Sequence, residues 1–238
     1  MENIYILPVT YASKYNNIIL QIRNIDETAK FLNECSNLNI HYFQIVTPAE
    51  DWNALPRLIG EAPVDLVLKN PAEEYPLLYH FSQFPNLRCS ILIKPNFFRA
   101  VKVAASLHFP IQLTIGKEDI SLEEMEDVLQ FYLTSPSLTE PIEFFHSYLY
   151  ACYHNIKPQT TLWELHEATE QYKTVDNKGN IILRCTPKAV DCKNCMHFPF
   201  CQGYCKQYNS DCNVMKSIFD KIIVSSQELQ KNFLNRND

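Results

Sequence analysis

Five short apolar runs begin near residues 18, 41, 64, 89 and 111, so that successive starts lie 23, 23, 25 and 22 residues apart. Ile18–Ile22, Ile40–Val46, Val64–Leu68, Cys89–Ile93 and Ile111–Ile115 have strand length, and most are rich in β-branched residues. The intervening stretches predict helices over 26–38, 48–59, 72–84, 97–107 and 121–133, with Asp26 as the N-cap of the first. A strand and a helix repeated at this period give a parallel sheet with right-handed crossovers. A leucine-rich solenoid has a similar period, but its L-x-x-L-x-L-x-x-N consensus is absent. The expected fold class is α/β, a partial (β/α) barrel, with an open doubly wound sheet as the second choice.

Composition removes several function classes. Net charge is −6, which argues against a general nucleic-acid binder. No run approaches the ~18 apolar residues of a membrane helix, so no membrane partner is expected. The start, Met1-Glu2-Asn3-Ile4-Tyr5, lacks the basic and apolar pattern of a secretory signal, and a cytoplasmic location is the expectation. Only Gly60, Gly116, Gly179 and Gly203 occur, and neither a Walker loop nor a G-x-G-x-x-G fingerprint can be spelled with them.

Ligands of parallel sheets bind at the C-terminal ends of the strands. Arg23, Lys69, Lys94 and Lys117 stand there, in an otherwise acidic chain. They predict a basic rim for an anionic group such as a carboxylate or an acidic peptide. The competing reading is that lysines leaving a buried strand reach for water.

The composition changes beyond the aromatic helix expected over Ile142–His154. Tyr172 to Cys185 reads as a β-hairpin turning on Asn177-Lys178-Gly179-Asn180 and ending in a cysteine. Nine cysteines occur in the chain, and six of them, Cys185, Cys192, Cys195, Cys201, Cys205 and Cys212, fall within 28 residues. Without an export signal such crowding points to metal rather than to disulfides. Short thiolate spacings serve zinc and iron–sulfur clusters alike, and both remain open at this point.

The pattern Gly179-x5-Cys185, then Cys192-x2-Cys195-x5-Cys201-x3-Cys205, then Cys212 resembles the SPASM domain, the auxiliary-cluster module of radical SAM peptide-modifying enzymes. The Cys201-Gln-Gly-Tyr-Cys205 segment and the Asp211-Cys212 step into a helix carry the same likeness. The resemblance implies three parts: a degenerate, truncated radical-SAM-like partial barrel over 1–157, a SPASM domain over 158–226 and a polar tail over 227–238. It implies that Cys192, Cys195, Cys201 and Cys212 hold one [4Fe–4S] cluster and that Cys185 and Cys205 serve a second. The chain departs from the family in three ways. The hairpin reads Gly-x5-Cys where the family has Gly-x4-Cys, and no cysteine precedes Gly179 at short range. His166 stands nearby and reads most simply as a surface histidine. The third departure bears on function: Cys-x3-Cys-x2-Cys is missing, because Cys35, Cys89 and Cys152 are isolated. The chain is therefore not expected to cleave S-adenosylmethionine.

What the resemblance implies is an iron–sulfur accessory protein, as in grasp-with-spasm systems or pseudo-radical-SAM proteins. It would bind a ribosomally made precursor peptide for a partner, an ATP-grasp ligase or a radical SAM enzyme. Two alternatives stand beside it: a peptide-modifying enzyme acting at its auxiliary cluster, and a zinc-stabilised interaction module.

Overall fold

The computed structural model of the chain describes residues 3–35, 37–46, 55–116, 120–166, 172–182, 192, 194–208 and 212–234. β1 (Ile4–Pro8), β2 (Asn17–Ile22), β3 (Asn39–Ile45), β4 (Val64–Leu68), β5 (Leu87–Leu92), β6 (Ile111–Thr114) and β7 (Ile142–Glu143) lie side by side in sequence order, every pair parallel. β8 (Tyr172–Val175) then crosses to the far edge and pairs parallel with β1, and β9 (Ile181–Ile182) returns antiparallel on β8. The α/β class and the parallel ladder follow directly. β1 to β7 are wound in one direction, and the order turns back once, at β8, which takes the other side of β1. Among the described residues the sheet is open and does not close into a barrel, since β7 and β9 form its two edges.

The helices differ from expectation where local chemistry decides. α1 (Val9–Ala12) follows β1. α2 (Ile25–Glu34) is capped by Asn24, not Asp26: Asn24 is extended and its side chain accepts the Glu27 N–H at 2.9 Å. Of the helix expected over 48–59, α3 (Leu55–Ile59) is described and the rest lies outside the described residues, as do Thr47 and Lys117. The helix expected over 72–84 is α4 (Pro71–Glu74) continued as a 3-10 helix, Tyr75–Phe81. Pro76 explains the break, because it has no N–H for the α-helical bond and crowds the preceding turn. α5 (Phe98–Ser106) and α6 (Leu122–Thr134) lie as expected. Ser121 caps α6, and the Glu124 carboxylate accepts the Asn96 and Phe98 N–H groups, both at 2.9 Å, tying α6 to the start of α5. The helix expected from Ile142 begins only at α7 (Phe145–Tyr153), since Ile142 and Glu143 extend the sheet as β7.

Side chains alternate between the sheet's two faces. One face carries Leu20, Phe43, Leu66, Cys89, Ile91 and Leu113, all buried in a cluster shared with Ala100, Val101 and Ala104 of α5. The other face carries a polar row in register across the strands: Gln21, Gln44, Asp65 and Arg88, then Ser90, Gln112 and Glu143. Gln21 Nε2 donates to Gln44 Oε1 at 2.9 Å and Gln44 Nε2 to Asp65 Oδ2 at 3.1 Å. Ser90 Oγ donates to Asp65 Oδ1 at 2.6 Å, while Arg88 reaches both carboxylate oxygens at 3.3 and 3.1 Å. The buried Asp65 charge is thus paired and hydrogen-bonded, as burial requires.

The C-terminal part is joined to this sheet at two places. Its hairpin supplies β8 and β9, and its helices continue the same core. α8 (Leu162–His166) starts in a capping box: Thr161 N–H reaches Glu164 Oε2 at 2.7 Å and Glu164 N–H reaches Thr161 Oγ1 at 3.3 Å. α9 (Phe198–Cys201) and α10 (Tyr204–Tyr208) are single turns, whereas α11 (Asn213–Leu234) is the longest helix described and packs on α7 and α6. Phe200, Tyr204, Met215, Ile218, Phe219 and Ile222 belong to one hydrophobic cluster with the sheet residues. Residues 227–234, expected as polar tail, are the last two turns of α11. The helix passes Ser226, whose hydroxyl bonds back to the Ile223 carbonyl at 2.6 Å, and Gln230 donates to the Tyr153 carbonyl at the end of α7. No helix among the described residues is long and apolar enough to cross a membrane.

Candidate metal centre

α9, α10 and the start of α11 wrap a cavity of about 110 Å³ whose wall includes Cys192, Cys195, Cys201, Cys205 and Cys212. The structure therefore brings together five of the six cysteines singled out in the sequence, and Cys185 lies outside the described residues. All five are free thiols. They surround the cavity without closing on one point: among the described residues, no three His, Cys, Asp or Glu side chains form a ready-made ion site.

Local backbone geometry places each thiol. Cys195 N–H bonds to the Cys192 carbonyl at 3.0 Å, and Phe198 N–H to the Cys195 carbonyl at 3.0 Å, which turns the chain twice before α9. After α9, Gln202 and Gly203 both adopt left-handed φ, at 46° and 81°. Two such residues in succession swing the following amides back toward α9. The N–H groups of Gly203, Tyr204 and Cys205 consequently point at the Cys201 sulfur, an amide nest suited to an anion. The Cys205 thiol also donates to that sulfur. These donors hold the Cys201 thiol down to about 7, with the Cys205 bond the largest cause. The same bond pushes the Cys205 thiol up, and burial pushes up Cys192. Cys212 directly precedes α11, where free amides favour negative charge. Lys206 and Lys216 stand on the cavity wall as counter-charges to thiolates.

An aromatic box holds the cavity against the rest of the fold. Phe200 stacks on Tyr148 of α7 with ring centres 4.6 Å apart, and Phe219 of α11 meets Tyr148 edge-on at 5.2 Å and Phe144 at 5.8 Å. His197 sits inside this box, 3% exposed, with both ring nitrogens engaged: Tyr148 Oη at 2.9 Å from Nδ1 and Asp220 Oδ1 at 3.0 Å from Nε2. Asp220 only accepts, so Nε2 carries the proton and Nδ1 accepts from Tyr148. Burial holds the imidazole below its ordinary value and thus neutral. A role for His197 as a metal ligand is not supported, because neither nitrogen is free. Tyr148 further bonds the Cys152 thiol.

The basic rim is less uniform than expected. Arg23 donates to Gln21 Oε1 at 3.0 Å and to Asn177 Oδ1, so it holds the hairpin turn onto β2. With Tyr11, Asn24 and Glu27 it borders a separate cavity of about 160 Å³ that shares no residue with the thiol cavity. Lys94 Nζ donates to Asn70 Oδ1 at 3.1 Å, beside the exposed Lys69. Lys69 and Lys94 are neighbours at the ends of adjacent strands, and Arg23 stands two strands away.

Tyr148, Phe219, Asp220, Lys206 and Lys216 support the site and are not among the residues singled out in the sequence. Lys206 carried a signal, since it directly follows Cys205. The others come from α7 and α11, and only folding brings those helices to the cysteines. No protein-family model matches the chain, and neither a curated protein nor a solved structure matches it.

Proposed function

We propose that the chain is an iron–sulfur accessory protein for ribosomally made, post-translationally modified peptides. It binds a precursor peptide for a partner modifying enzyme, an ATP-grasp ligase or a radical SAM enzyme, and does not itself cleave S-adenosylmethionine. The observation that carries the metal half of this reading is the thiol cavity: five cysteines lining one cavity, two lysines beside them and three amides aimed at Cys201. The donor set fits an iron–sulfur cluster, which takes four thiolates and is tuned by N–H groups directed at their sulfurs. The peptide half rests on the likeness of the cysteine spacing to the SPASM domain, and the sequentially wound sheet supports the partial-barrel part of that likeness.

Cys192, Cys195, Cys201 and Cys212 would hold the cluster, with Cys201 cradled by its amides and Cys212 fixed by α11. Such a cluster, when bound, supplies an electron-relay centre, an iron site for a peptide donor group, or a cross-link that closes a small segment. The chain's own residues exclude water on one side through Phe198 and Phe219, and the Tyr148–His197–Asp220 chain fixes the loop between Cys195 and α9. Exposed Lys69 gives the rim one cation for an acidic peptide, with Lys94 beside it.

Anaerobic purification tests the metal half. A brown protein containing iron and acid-labile sulfide is expected, and a colourless protein with stoichiometric zinc contradicts it. Calorimetric titration with a short precursor peptide encoded beside this gene tests the other half. Binding that weakens on Lys69→Glu plus Lys94→Glu is expected, and unchanged affinity removes the rim from the account.

A further inference from the structure

We infer that the chain binds a small zwitterion, a free α-amino acid, in the cavity at the C-terminal end of β1, apart from the cysteine site. The inference goes beyond the metal and peptide readings above and depends on neither.

Three observations carry it, and the first is topology. β2 lies on one side of β1 and β8 on the other. The chain leaving β1 passes into α1, which packs against β2, while the chain leaving β8 turns into β9, away from β1. Connections that part in this way open a crevice at the carboxyl ends of the strands, the place where open parallel sheets bind ligands. The cavity of about 160 Å³ occupies that place: Thr10 and Tyr11 follow β1, Arg23 and Asn24 follow β2, and Asn177 follows β8. An engineered cavity of about 150 Å³ accepts benzene, so the space suits a molecule of about six to eight heavy atoms.

The second observation is hydrogen-bonding capacity. Arg23 donates to the neutral oxygens of Gln21 and Asn177, which uses two of its five N–H donors, and no carboxylate among the described residues neutralises it. Asn24 spends its side-chain oxygen on the Glu27 N–H at 2.9 Å and Asn177 spends its own on Arg23. Both NH2 groups remain as donors, and such a wall suits a carboxylate. The third observation is the Glu27 carboxylate beside them, which no cation among the described residues pairs with and which suits an ammonium. One small molecule bearing both groups satisfies both walls. The donors are held in place beforehand. Tyr11 Oη donates to the Asn177 carbonyl at 3.1 Å, and Asp176 Oδ1 accepts the Lys178 and Asn180 N–H groups, both at 2.8 Å. Preorganisation of this kind reduces the cost of binding.

The test titrates the isotope-labelled full chain with the free protein amino acids, one at a time, and follows its amide signals by NMR. At least one amino acid should bind with a dissociation constant of about 1 mM or below. The amides that move should be those of 8–12, 21–27 and 176–180. No binding by any of them, or shifts confined to other segments, overturns the inference. For the tightest binder, Arg23→Gln should weaken affinity about tenfold or more, and so should amidation of the ligand's carboxylate. N-acetylation removes the ammonium and should weaken binding about tenfold in wild type but not in Glu27→Gln. An amide bound as tightly as the acid overturns the inference. An N-acetyl form bound by wild type as tightly as the free amino acid identifies a peptide C-terminus as the ligand and overturns it too. Arg23 also holds the hairpin, so should Arg23→Gln fail to fold, the Glu27→Gln comparison decides. Glu27 is exposed, and its bond to Asn24 is made by its backbone N–H, which glutamine keeps.

Discussion

Strands β2 to β6 bury whole rows of side chains: Ile18, Leu20, Leu66, Cys89, Ile91 and Leu113 are all at 2% exposure or less, against the helices behind them. The cysteine segment from 192 to 208 has nothing comparable. Its helices are single turns of four and five residues, far shorter than a helix that holds itself in water. What fixes it is borrowed: Phe200 in the aromatic box, Tyr204 in the common core and His197 bonded to α7 and α11. One region folds on its own apolar burial. The other is a loop around a cavity, placed by its neighbours and completed by whatever its thiols bind.

Phe219→Ala should show the largest effect, because Phe219 lines the thiol cavity and packs on Phe144 and on Tyr148 of α7. Removing it opens the box formed with Phe144, Tyr148 and Phe200, at a cost of about 3–5 kcal/mol. Urea unfolding should give this loss together with lowered metal retention; a loss of stability with full metal content would mean that the sites are not coupled through this ring. Asp65→Ala belongs to the sheet alone. It strips Arg88 of its carboxylate partner, and since the Arg88 side chain is 43% exposed and can turn to water, about 3 kcal/mol is expected. Metal content should not change, and a change would tie the polar row to the cysteine cavity.

The hairpin gives smaller effects. Gly179 has φ +82°, and a Cβ there would meet the Tyr11 ring at 2.8 Å. Gly179→Ala should cost about 1–2 kcal/mol by thermal melting, with partial relief when Tyr11→Ala is added. Asp176 is held below its ordinary 3.8, chiefly by the Asn180 N–H, which its Oδ1 accepts at 2.8 Å. Its contribution is therefore full above pH 3.8 and lost as pH falls below that value. The melting-temperature gap between wild type and Asp176→Asn should be small at neutral pH and close on acidification; a gap that widens would reverse the assignment.

The strands were legible because a parallel sheet buried behind helices demands apolar runs, and the period of the runs set the order of the ladder. The polar row was legible too. Gln21, Asp65, Ser90 and Gln112 each interrupt an otherwise apolar strand, and a polar residue there must meet partners on neighbouring strands. Boundaries failed where a side chain outweighed periodicity: Asn24 took the cap from Asp26, and Pro76 tightened α4 into a 3-10 helix. At the site, spacing identified the cysteines but not their grouping. Grouping depends on the left-handed turn at Gln202–Gly203, and only Gly203 announces that turn in the sequence. Tyr148 and Asp220 could not be found from spacing, since they lie 49 and 23 residues from His197 and meet it only through packing.

Hydrogen–deuterium exchange of the reconstituted chain, before and after metal removal with a chelator under reducing conditions, compares the two regions directly. The account predicts that amides of 194–208 lose protection while β2 to β6 keep theirs. Equal protection in 194–208 with and without metal would contradict it, and would make the cysteine segment a self-sufficient part of the core.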